Sequence, residues 1–166
     1  MIETEKIFQT SDVLRLVGIR LIYLNKFVER KLYGIKPYVR SGRGRGSRRI
    51  FSSGDVRAIA LVWWLFESGL RAKVIQDILK QLSGSNAPSS YEATNSILNS
   101  GCDLLVVTRL PRSATRKSRT QKAALVNFAG RANSVRVVRG ACTVVIPVHD
   151  LFSQLVQRMN PEEGSN

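Results

Sequence analysis

Residues 36–49, K-P-Y-V-R-S-G-R-G-R-G-S-R-R, constrain this chain more than any other stretch. They hold six Lys or Arg, four of them between Arg43 and Arg49, and no acid. Gly42, Gly44 and Gly46 punctuate the run, and each costs a helix about 1 kcal/mol relative to Ala. The segments on either side nevertheless carry helical patterns. A basic, glycine-punctuated loop between helices is the sequence form of a DNA-binding wing. Its arginines can contact phosphates, and its glycines let the backbone turn and approach closely.

The charge of the whole chain points the same way. Its 166 residues contain 26 Lys and Arg against 12 Asp and Glu, a net +14. A field of that sign favours nucleic acid or an anionic membrane surface. With 43% hydrophobic residues the chain can also bury a core, unlike a disordered basic tail. The longest apolar run, Ala58 to Phe66, is far short of the roughly 20 residues that span a bilayer, and Arg57 precedes it. The start, M-I-E-T-E-K, is acidic and polar, unlike a signal peptide. Cys102 and Cys142 lack C-x-x-C spacing and a histidine neighbour, so free thiols and a cytoplasmic location are expected.

Thr10 or Ser11 can cap a first helix through Val17, with Val13, Leu16 and Val17 on one face and Gly18 ending it. A second helix is expected from about Arg20 to Leu32, burying Leu21, Leu24, Phe27 and Val28 and turning Arg20, Tyr23, Lys26 and Arg30 elsewhere. Two helices joined by a tight glycine turn form a helix-turn-helix unit, whose second helix enters the major groove. Short strands should flank the basic loop, at 37–40 and 48–51. Ser52 or Ser53 caps a third helix through Ile59, Val62, Trp63 and Phe66, with Asp55 in its first turn where the helix dipole favours an acid. Gly69 stops it, and a fourth helix from Arg71 to Leu82 turns Val74, Ile75, Ile78 and Leu79 inward.

S-G-S-N-A-P-S-S, residues 83–90, reads as a linker that divides the charge into +9 before and +5 after. Beyond it, residues 103–107 suit a buried strand. Residues 109–122 form a second basic stretch with six Lys or Arg, a loop or a second phosphate-binding surface, becoming helical near 121–127. Residues 135–138 and 143–146 are β-branched runs forming a hairpin or close pair, and residues 148–159 a final amphipathic helix. Trp63 is assigned to the core; its neighbour Trp64 is either partly exposed or part of an interface. His149 reads as a cap or surface residue and the two cysteines as buried small apolar groups.

The ordered pattern F-x-x-x-D-V-x-R-L-x-G-I, then K-P, then G-R-G-S-R-R-I-F-S-x-x-D-V, then a helix ending S-G-L, resembles the MerR family of transcription regulators over residues 8–82. G-R-G-S-R-R-I-F-S is especially similar to short actinobacterial members, which carry a small α/β C-terminal region. The resemblance implies a winged helix-turn-helix that binds palindromic double-stranded DNA as a homodimer and distorts it, with a nucleoid-associated location in a bacterial cytoplasm. The second helix would lie in the major groove and the wing on the backbone or adjacent minor groove, with Arg49 as the foremost phosphate contact. Departures from the family pattern are Leu24-Asn25-Lys26-Phe27 in the second helix, Arg20 in place of the usual Ser, and the missing long dimerisation helix after Leu82.

The expected fold class is therefore α+β. Residues 1–82 form a mainly α winged helix-turn-helix, 83–101 a linker, and 102–160 a small α/β domain for dimerisation or an effector. Expected DNA contacts are Arg20, Tyr23, Asn25 and Lys26 on the helix, with Arg40, Arg43, Arg45, Arg48 and Arg49 on the wing. Arg or Lys reads guanine and Asn reads adenine. No catalytic residue, metal or cofactor is expected, and RNA polymerase or another protein is a further partner. An excisionase-like architectural protein that bends DNA is the alternative. The sequence offers an enzyme no paired carboxylates, nucleophile–histidine–acid set or metal cluster, and it lacks the aromatic sheet pattern of common single-strand RNA binders.

Overall fold

The computed structural model describes residues 6–30, 32–40, 48–109, 121–126 and 142–161, and in them the chain is a mixed α+β fold. Its first helix, α1 (Thr10–Val17), is capped by Gln9, one residue before the first of the expected caps. The Gln9 N–H donates to Asp12 Oδ2 at 2.9 Å, so the acid three residues on, not Thr10 or Ser11, secures this end. Gly18 closes α1 in the left-handed conformation at φ 75°, where a side chain would be strained.

Helix α2 (Leu21–Glu29) follows at once and is shorter than its apolar pattern suggests. Leu24 and Phe27 are buried as expected and Val28 is half-buried, but Leu21 is 50% exposed. Tyr23, expected to point elsewhere, packs inward, 5.4 Å from Trp63 and 5.1 Å from Phe66 between ring centroids. A large ring gains more from burial than Leu21 does, and it turns the helix accordingly.

Strands β1 (Ile7–Gln9), β2 (Tyr38–Arg40) and β3 (Arg48–Ser52) form an antiparallel sheet in the order β1-β3-β2. β1 was not foreseen, being only three residues long. Phe8 pairs with Phe51, and both are buried.

Helix α3 (Ser53–Glu67) starts from a reciprocal cap. Ser52 Oγ accepts from the Asp55 N–H at 3.1 Å, and Asp55 Oδ2 accepts from the Ser52 N–H at 2.7 Å. Gly69 leaves it at φ 80°, and α4 (Ala72–Ser83) follows with Ile75, Ile78 and Leu79 buried.

The 83–101 stretch, expected to be a linker, contains helix α5 (Ser90–Ser100). Ser89 caps it by accepting from the Glu92 N–H, and Ala93 and Ile97 bury one face against α3 and α4. Small buried residues give this helix a weak apolar signature. Tyr91 binds it to the start of α3: its hydroxyl donates to Asp55 Oδ1 and accepts from the Lys36 N–H at 3.1 Å.

The second sheet is β4 (Leu104–Arg109) between β5 (Gln121–Val126) and β6 (Cys142–Ile146), both antiparallel to it. The helical reading of 121–127 is therefore corrected: Ala-rich propensity yields to a six-residue ladder with β4 and a bond from the Ala123 N–H to Gln81 Oε1 at 3.0 Å. Residues 135–138, expected to pair with 143–146, and the basic stretch 110–120 lie outside the described residues.

Helix α6 (Val148–Met159) spans the expected residues and returns to α1. Trp64 meets Phe152 edge to face at 4.9 Å and stays partly exposed, the first of its two expected states. One buried cluster runs from Phe8 to Met159, so packing does not stop at residue 82.

Two outcomes follow for stability. Phe152→Ala should cost about 3–5 kcal/mol in urea unfolding and lower one shared transition, rather than releasing α6 alone. Tyr91 is pushed up to about 12 by burial, the Asp55 hydrogen bond and the Asp55 charge. The unfolded phenol loses its proton near 10 while the folded one keeps it, so this contribution is intact below pH 10 and is lost as pH rises toward 12. Over that window the wild-type chain should lose stability relative to Tyr91→Phe; parallel curves would contradict the assignment.

Candidate nucleic-acid interface

Alternation along β3 decides where its arginine goes. Residues 49 and 51 share one face of the strand, and Phe51 on that face is buried. Arg49 is thereby turned back toward α2. Its Nη1 donates to Asn25 Oδ1 at 2.6 Å and its Nη2 to Glu29 Oε1 at 3.1 Å. Asn25 and Glu29 are one helical turn apart, so a single guanidinium fork meets both. The ion pair is partly exposed, at 25% for Arg49 and 61% for Glu29. Such pairs contribute about 1 kcal/mol or less. The larger consequence is geometric, because the fork fixes the β2–β3 pair against α2.

The expected contact residues thus divide. Arg20 is exposed at the start of α2 and its side chain makes no capping bond. Lys26 is exposed, with its ammonium 5.5 Å from the Tyr23 ring centroid. Tyr23 is committed to the aromatic cluster with Trp63 and Phe66. Asn25 and Arg49 are engaged with each other. The backbones of Arg40 and Arg48 face each other in the β2–β3 register, while Arg43 and Arg45 lie outside the described residues.

Beside Arg20 and Lys26, the structure exposes two apolar residues that sequence reasoning did not place here. Leu21 is 50% and Ile22 59% exposed. The signal was available: Ile22 falls four residues before Lys26, on the face away from Leu24 and Phe27.

The outer side of the first sheet forms a cleft of about 430 Å³ lined by Lys6, Ile7, Tyr38, Ile50, Phe51, Ser52 and Asp55. Its one carboxylate is already bonded to Ser52 and Tyr91. His149 is exposed near the start of α6, 3.5 Å from Asp150. Cys102 is half-buried, not fully buried as expected. Among the described residues there is no group of three or more His, Cys, Asp or Glu able to hold a metal, and no helix long and apolar enough to cross a membrane.

No family model and no curated protein matches the chain. Its reading therefore rests on its own residues and their geometry.

Arg49→Met should cost about 1 kcal/mol or less in global stability. It should nonetheless speed amide hydrogen exchange in residues 38–40 and 48–52 and leave α6 unchanged. Unchanged exchange in the hairpin would show that Arg49 does not hold it.

Proposed function

We propose that this chain is a sequence-specific, double-stranded-DNA-binding transcription regulator, built as a winged helix-turn-helix of the MerR type and acting as a homodimer. The observation that carries this reading is the Arg49 fork. It joins an exposed helix face bearing Arg20 and Lys26 to the strand pair that bounds the basic 41–47 stretch. The Gly18 turn between α1 and α2, the β2–β3 pairing and the +14 charge support the same reading.

In this account α2 enters the major groove, Arg20 and Lys26 contact base edges or phosphates, and Arg40, Arg43, Arg45 and Arg48 bind the backbone or minor groove. Arg49 acts through Asn25 and Glu29 by holding wing and helix at a fixed separation. The N-terminus of α2 has no side-chain cap, which suits a phosphate. The region from β4 to α6 serves dimerisation or contact with RNA polymerase or another protein.

The test is selection from random duplex DNA with the mass of the bound species measured in parallel. An enriched inverted repeat carrying two chains is expected, with affinity falling linearly in log salt. Arg45→Glu should weaken all duplexes alike and flatten the salt slope by about 1–2. Lys26→Ala should relax preference at one position. Failure to enrich any sequence, or uniform weakening from both variants, would overturn this reading.

A further inference from the structure

The first turn of α2 presents a combination that the fold itself does not require. Leu24 and Phe27 bury the inner side of the helix, and Tyr23 packs on Trp63 and Phe66. Leu21 and Ile22 remain outside, 50% and 59% exposed. Ile22 lies one turn before Lys26, and Leu21 follows exposed Arg20, so the apolar pair is bracketed by cations.

A surface that is apolar at its centre and cationic at its edges matches a target that is anionic at its edges and apolar at one point. In the major groove the phosphates supply the charge, and the thymine C5-methyl is the apolar group on the base edges. The Arg49 fork occupies Asn25 Oδ1 and Glu29, so the free outward face of α2 narrows to Arg20, Leu21, Ile22 and Lys26. We propose that Leu21 and Ile22 read thymine methyl groups, making α2 selective for T at one or two positions beside those contacted by Arg20 and Lys26. This rests on the DNA-binding reading above and names what that helix face recognises.

The experiment removes the methyl and nothing else. Each thymine of the selected duplex is replaced in turn by deoxyuridine, and binding to the full chain is followed by fluorescence anisotropy at fixed salt. One or two replacements should weaken binding about fourfold, the value of one buried methyl-sized group. Ile22→Ala should weaken the parent duplex by a similar factor and abolish the effect of uracil at its position, whereas Lys26→Ala should leave that effect in place. The uracil arm needs no protein variant, so it stands even if a substitution disturbs folding. Insensitivity to every uracil replacement, or full sensitivity retained in Ile22→Ala, overturns the proposal. A change in oligomeric mass on Ile22→Ala would also overturn it, by marking the pair as a protein interface. Absence of any selective duplex binding overturns the DNA-binding reading itself, which separates the two failures.

Discussion

The arrangement of this molecule depends on covering α3. Val56, Ala58, Ile59, Ala60, Leu61, Val62, Trp63 and Leu65 are all buried, which leaves this helix almost no solvent face. A helix apolar on every side has to be surrounded. α1 and α5 pack against it, α2 presents Tyr23 and Phe27 to Trp63 and Phe66, and α6 brings Phe152 to Trp64. Its first turn is tied down as well, because Asp55 answers both Ser52 and Tyr91. A carboxylate that is only 6% exposed is tolerable when its oxygens are bonded in this way.

Packing on α3 settles which side of α2 faces out. With Tyr23, Leu24 and Phe27 turned inward, Arg20, Leu21, Ile22 and Lys26 are left to solvent. The sheet beside them obeys the same logic. Phe51 must lie under the sheet, so Arg49 on the same face is aimed at α2, where Asn25 and Glu29 receive it. A burial requirement in one helix thereby produces an exposed, partly cationic helix face and a strand pair fixed beside it.

Much of this was legible from spacing. Gly18 and Gly69 stop their helices, Ser52 and Asp55 start α3, and the α6 pattern gave its span correctly. What escaped has identifiable causes. The helix α5 hides in a Ser-rich stretch because, apart from Ile97, the residues it buries are the small Ser90, Ala93 and Thr94. Strand β5 contains Ala123, Ala124 and Leu125, whose helical propensity is overridden by pairing with β4. Of the expected contact residues, Arg20 and Lys26 have the exposure the sequence implied. The commitments of Tyr23, Asn25 and Arg49 could not be read from one strand or one helix alone, since each depends on a partner at least 20 residues away. The turn of α2 that leaves Leu21 exposed is set by that same distant packing.

The central claim is that duplex DNA meets α2 and the β2–β3 pair as one surface. A two-dimensional amide NMR titration of the full chain with short duplex DNA tests it most directly. The account predicts that chemical-shift changes concentrate in residues 20–30 and 38–50 and leave α6 essentially unmoved. Changes confined to α6 and the β5–β4–β6 sheet, with α2 silent, would contradict it.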